Sequence, residues 1–136
     1  MKATLRKSDL LYPELSYKII GCCFEVFKAL GPGLLEKDYQ KALRLSLLKA
    51  GLVIEEQVKH NITFDGVKIS TGFFDFVVEK KIVLELKRGK FYLSGEFQQL
   101  LRYLKMSDYE LGIVIRFGEQ GVEYKRVLNI KSEPMT

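Results

Sequence analysis

The chain has 136 residues, of which 47% are hydrophobic, 29% charged and 12% aromatic, and 22 Lys and Arg against 17 Asp and Glu give a net charge of +5. That length suits one domain with a buried core, here residues 1–136, and the composition argues against disorder and low complexity. The basic excess mildly favours a polyanionic partner.

Residues 1–12 lack a sustained apolar segment, and no run approaches the roughly 18 apolar residues of a membrane span, so neither a signal peptide nor a membrane partner is expected. Residues 14–30 carry apolar side chains at 15, 19, 22, 23, 26, 27 and 30, which is helical spacing, and Gly31-Pro32-Gly33 stops it. Cys22 and Cys23 adjoin within that helix, so buried free thiols in a reducing cytoplasmic setting are expected rather than a disulfide framework. A second helix is predicted over 34–50, with Leu35, Tyr39, Ala42, Leu43 and Leu47 on one side and Gly51 at its C-terminal cap.

The period then changes. Residues 52–64 read as a strand, Asp65-Gly66 as a hairpin turn, and 67–78 and 82–87 as two further strands. His60, the single histidine, falls in the first of these and receives no role. One histidine leaves no room for a His-based zinc site, a triad or a His/Cys deaminase site, so any metal would be held mainly by oxygens, as Mg²⁺, Mn²⁺ and Ca²⁺ are. Residues 94–106 return to helical spacing, with Ser94 as a candidate N-cap. Residues 111–117 and 122–130 are two last strands. The order ααβββαββ predicts a mixed sheet of about five strands flanked by helices, in one α/β domain.

The run GFFDFVVEKKIVLELK at 72–87 places Asp75, Glu85 and Lys87 inside two apolar strands. If the turn centres on Lys80, Asp75 falls opposite Glu85; Asp75 then shares a face with Val77, and Glu85 with Val83 and Lys87. A two-residue turn at Lys80-Lys81 would instead throw the acids onto opposite faces. In the first register the carboxylates are cross-strand neighbours, Cβ atoms about 5 Å apart. They repel by roughly 3 kcal/mol at an effective dielectric near 20, a cost that a bound cation would reverse. The competing reading is a wet sheet face on which the three charges pair among themselves. The apolar neighbours Phe73, Phe74, Phe76, Val83, Leu84 and Leu86 point instead to a strand covered on each side.

Asp75 and Glu85-Leu86-Lys87 on one hairpin have the form D-x(n)-[DE]-x-K, which resembles the core of PD-(D/E)XK nucleases. Gly33-Leu34-Leu35-Glu36-Lys37-Asp38-Tyr39 has the form G-x-x-E-x-x-Y and resembles the small bacterial and archaeal family named for that signature. Gln99-Leu100-Leu101-Arg102-Tyr103 is similar to the Q-x-x-x-Y element of RecB-like nucleases in the same superfamily. The resemblance extends over residues 10–130; Phe74 stands where the superfamily's name has proline, a position that carries no ligand.

The resemblance implies a restriction-endonuclease-like core and a Mg²⁺- or Mn²⁺-dependent nuclease acting on nucleic acid, DNA in the first instance. Asp75, Glu85, the Leu86 carbonyl and Glu36 would then surround the metal, with Glu36 direct or through water. Lys87 would assist the attacking water, and Gln99 and Tyr103 would orient Lys87 or touch the DNA backbone. Gly33 and Tyr39 are assigned to structure, the glycine for close approach at the helix start. Lys80, Lys81, Arg88, Lys90 and Arg102 are candidate phosphate contacts, with Lys105, Lys125 and Arg126 beyond them. Cutting both strands would call for a homodimer. The alternative is a non-catalytic nucleic-acid-binding or partner module that keeps the nuclease fold.

Overall fold

Residues 11–87 and 94–130 are described by the structure, a computed structural model. The expected order of elements is present throughout. Helix α1 spans Pro13–Leu30, with proline at its first position, where the missing N–H costs nothing. Helix α2 spans Glu36–Lys49. At its end the Gly51 N–H bonds the Leu48 carbonyl and the Leu52 N–H bonds the Leu47 carbonyl, with Gly51 at φ 81°. This is a Schellman cap, the role expected of that glycine. Leu35 was expected on the packed side of the helix but is 44% exposed. It is the N-cap residue, with extended backbone angles, so helical phase does not govern it.

Strands β1 (Ile54–Phe64), β2 (Val67–Val78) and β3 (Ile82–Lys87) precede helix α3 (Ser94–Ser107), and β4 (Leu111–Phe117) and β5 (Val122–Leu128) complete the sheet. Its order is β1-β2-β3-β4-β5, and only the β3–β4 pair is parallel, α3 lying in the connection between them. Helices α1 and α2 cover one face, over a core that includes Ile19, Cys23, Leu43, Leu47, Phe76, Leu84 and Ile113. The other face packs Phe74, Val77, Val83, Val114 and Val127 against Leu100 and Leu104 of α3. A Cβ on Gly112 would lie 2.9 Å from Leu100 Cδ2, so bare backbone on β4 lets α3 approach. Both cysteines are buried and free, and burial pushes the Cys23 thiol well up.

The hairpin β2–β3 takes the register centred on Lys80: Val78 pairs Ile82, Val77 pairs Val83 and Phe76 pairs Leu84. Glu79 and Lys80 adopt left-handed φ of 54° and 55°, and the Lys81 N–H closes the turn on the Val78 carbonyl at 2.9 Å. Glu79 also anchors this turn to the start of β1. Its N–H donates to the Val53 carbonyl at 2.8 Å, and its carboxylate accepts the Val53 N–H at 2.7 Å.

One rung of β1–β2 is missing. Glu56 faces Phe76 and Val58 faces Phe74, with no pairing of Gln57 and Asp75 between them. The two strands turn over there. Ile54, Phe76 and Val78 pack on the α1–α2 side, whereas Val58, Phe74 and Val77 pack on the α3 side. The expectation that Asp75 shares a face with Val77 rested on unbroken alternation, and alternation fails at Asp75. Its direction is set by hydrogen bonds instead.

Candidate active site

Beyond Phe76 and Leu84 the β2–β3 backbone ladder gives way to side chains. Glu85 Oε1 accepts the Asp75 N–H at 3.1 Å, and Asp75 Oδ2 accepts the Leu86 N–H at 2.8 Å. Each carboxylate therefore fills a backbone position on the other's strand. This holds the two acids side by side, as the Lys80-centred register requires. Lys87 Nζ lies 3.7 Å from Glu85 Oε2.

The electrostatics reflect this crowding. Burial, then the charge of Asp75, push the Glu85 carboxyl up to about 7; Lys87 and the Asp75 N–H pull the other way, and Glu36 adds to the rise. Asp75 is also raised, by burial, against the opposing Leu86 N–H, Lys87 and a side-chain hydrogen bond from Gln57. Two carboxyls that resist ionisation side by side form a site that favours an added cation.

Glu36 is the first residue of α2, and Tyr39 explains how it is placed. The Tyr39 hydroxyl donates to the Gly31 carbonyl at 2.6 Å and accepts the Leu34 N–H at 3.3 Å, fastening the loop that leads into the helix. Its ring stacks on Phe117 at 4.5 Å, nearly parallel. Glu36 borders a cavity of about 20 Å³ together with Leu34, Tyr39, Leu86, Lys87 and Phe117. Gly33 does not serve close approach, since nothing lies within 4 Å of where its Cβ would be; its φ of 95° is what calls for glycine.

Gln99 Nε2 donates to the Tyr103 hydroxyl at 3.1 Å, so the pair acts as one unit on α3. No contact of either with Lys87 is present among the described residues. Tyr103 stacks on His60, which in turn stacks on Phe74, at 4.4 Å in both cases. His60 is buried, and burial lowers its pKa. It thus ties α3 to β1 and β2, a structural part that spacing did not reveal.

The basic residues separate. Lys80 and Lys81 lie in the turn at the far end of β3, and Lys81, the nearer, is roughly 13 Å from Glu85 at ~3.3 Å per strand residue. Lys81 sits over the Tyr12 ring at 5.7 Å. Arg88 and Lys90 lie outside the described residues. Arg102 and Lys105 are exposed on α3. Lys125 lies over the Phe97 ring at 4.7 Å, and Arg126 donates to the Leu11 carbonyl at 2.6 Å.

Two neighbours of the site were not anticipated. Arg116 on β4 pairs in register with Lys87 and is 1% exposed. Its Nη2 donates to both Glu96 oxygens, at 3.0 and 3.2 Å. A charge inside the apolar run LGIVIRF was the available signal, of the same kind that marked Asp75. The second is Gln57, opposite Asp75, whose residue type gives no signal.

Among the described residues no group of three or more His, Cys, Asp or Glu converges as a ready metal cage. The donors present are two adjacent raised carboxyls, with Glu36 close enough to be felt. An all-oxygen set of this size suits Mg²⁺, which keeps several waters and binds through one or two carboxylates.

A mixed sheet flanked by helices on both faces, with paired acids and a lysine on its central hairpin, is a restriction-endonuclease-like α/β fold. Residues 13–127 match the PD-(D/E)XK nuclease superfamily, and the chain belongs to it. Among solved structures, the crystal structure of SSO0001 is similar at a TM-score of 0.59 and 18% identity, over 92% of this chain and 63% of that one. The chain thus spans less than two thirds of that protein's length. The alkaline exonuclease LHK-Exo from Laribacter hongkongensis gives a TM-score of 0.47 at 9% identity, over 85% of this chain and 82% of that one. No curated protein matches the chain. Among the described residues no helix is long and apolar enough to cross a membrane.

Proposed function

We propose that the chain is a metal-dependent nuclease hydrolysing DNA phosphodiester bonds, of the GxxExxY, RecB-like kind, built as a single domain. The observation that carries this reading is the reciprocal bonding of Asp75 and Glu85 across β2 and β3, with Lys87 Nζ 3.7 Å from Glu85.

Asp75 and Glu85 would hold Mg²⁺ or Mn²⁺ with the Leu86 carbonyl, and Glu36 would reach it directly or through water. The ion supplies, when bound, Lewis-acid activation of water and neutralisation of charge at phosphorus. Lys87 is a compact ammonium kept beside the acids, and it donates to the attacking water or to the oxygen on which charge develops. Gln99 and Tyr103, already bonded to each other, offer polar contacts to the DNA backbone. Exposed Arg102, one turn along the helix from Gln99, offers a phosphate contact, as would Arg88 and Lys90 just after Lys87. Lys80 and Lys81, at the other end of β3, fall outside this group.

The test is cleavage of DNA and RNA substrates with Mg²⁺ or Mn²⁺, set beside an Asp75→Ala variant. DNA cleavage lost in the variant supports the reading, and equal background in both proteins sinks it. A second reading is a module that binds nucleic acid without cutting, through exposed basic residues such as Arg102 and Lys105 of α3. It predicts salt-dependent binding that survives Glu85→Ala and needs no metal. Strict metal dependence counts against it.

A further inference from the structure

Gln57 adopts a φ of 51° in the middle of β1. The other non-glycine residues of positive φ among those described, Tyr12, Asp65, Glu79, Lys80 and Asp108, lie in turns or at helix ends. A left-handed residue inside a strand persists only where its surroundings impose it, and such outliers gather at functional sites. Glycine would take this angle at no steric cost. That the position holds a long amide instead indicates that the side chain has work to do.

Its place supplies that work. Gln57 stands opposite Asp75, on the missing rung between Glu56–Phe76 and Val58–Phe74. Its side chain lies close enough to the Asp75 carboxylate to lower that group's pKa, and the Leu86 N–H holds the same carboxylate from β3 at 2.8 Å. The carboxylate therefore lies between the Leu86 N–H of β3 and the Gln57 position of β1. The inversion that frees this rung also sends Phe76 to the α1–α2 core and Phe74 to the His60–Tyr103 stack.

We propose that Gln57 is a positioning residue for Asp75: its left-handed backbone, opposite Asp75 on the unpaired rung, sets the amide beside the carboxylate and fixes the orientation in which Asp75 meets a divalent cation beside Glu85. The inference rests on the metal-dependent reading given above. The ligand itself is Asp75; Gln57 acts through it, as outer partners of metal ligands do.

The experiment compares the full chain with Gln57→Gly and Gln57→Asn by Mn²⁺ titration calorimetry and thermal melting. Gln57→Gly keeps the backbone angle and removes the amide. Gln57→Asn keeps an amide on a residue that tolerates left-handed φ. The expected result is that Gln57→Gly melts at or above the wild-type temperature yet binds Mn²⁺ about 10-fold or more weakly, with part of the affinity restored in Gln57→Asn. Wild-type Mn²⁺ affinity in Gln57→Gly would overturn the proposal and leave the metal site standing. So would equal weakening in both variants with lowered melting, which marks a purely structural role. A wild-type chain that binds no Mn²⁺ overturns the metal reading, and the role of Gln57 with it.

Discussion

Replacing Glu85 with glutamine should stabilise the metal-free protein, in a way that depends on pH. The Glu85 carboxyl rises from its ordinary 4.5 to about 7, through burial first and the Asp75 charge second. Between those values the folded chain holds a proton that the unfolded chain has released, so stability falls as pH rises. At ~1.4 kcal/mol per pH unit the loss reaches roughly 3 kcal/mol; it is absent below the unfolded value and complete above the folded one. Asp75, also raised, acts in the same direction. Glutamine cannot ionise, and its amide oxygen can still accept the Asp75 N–H. The lost contact with Lys87, 3.7 Å long in the native chain, subtracts about 1 kcal/mol or less. Glu85→Gln should therefore exceed the wild type by about 2 kcal/mol near pH 8, some 5–10 °C in melting temperature, and show no gain near pH 4. The assay is a series of thermal and urea melts across that range in EDTA. A variant less stable at pH 8, or a difference that does not change with pH, would refute the reasoning.

Adding millimolar Mn²⁺ at pH 8 should reverse that ranking, raising the wild-type melting temperature and leaving Glu85→Gln little changed. Tyr39→Phe loses the hydroxyl that holds Gly31 and Leu34; we expect about 1 kcal/mol of destabilisation in urea melts, with cleavage falling further than stability does because Glu36 is released. Gly72→Ala would put a methyl 2.3 Å from the His60 ring, costing about 1–3 kcal/mol in the same melts. Glu96→Ala removes the carboxylate whose two oxygens accept from Nη2 of a buried guanidinium and should cost about 3 kcal/mol, with Glu96→Gln intermediate.

The order of elements was legible because turn chemistry punctuates this chain strongly: Gly31-Pro32-Gly33, Gly51 and Asp65-Gly66 mark element ends that the structure retains. The acid hairpin was legible because one turn centred on Lys80 brings Asp75 and Glu85 together, and Glu79 and Lys80 take the left-handed angles that such a turn needs. The inversion at Asp75 was not. Counting from the Asp65-Gly66 turn, where Phe64 pairs Val67, would set Asp75 opposite Glu56. A register shift between Ile62 and Thr63 moves the partner to Gln57. Such a bulge is fixed by packing across the sheet, which local propensity does not encode. Glu96 was similarly ambiguous. An acid in the first turn of a helix reads as a partner for the helix dipole, and only the fold places it against Arg116, 20 residues away. His60, a lone histidine in a strand, gave no hint of its place between Phe74 and Tyr103.

The most direct test is a crystal structure of the chain grown with Mn²⁺ and read by anomalous scattering. A peak between Asp75 and Glu85, within ligand distance of both carboxylates and beside Lys87, is the expected result. A well-ordered site with no peak there, and the two acids still bonded to the Leu86 and Asp75 N–H groups, would contradict it.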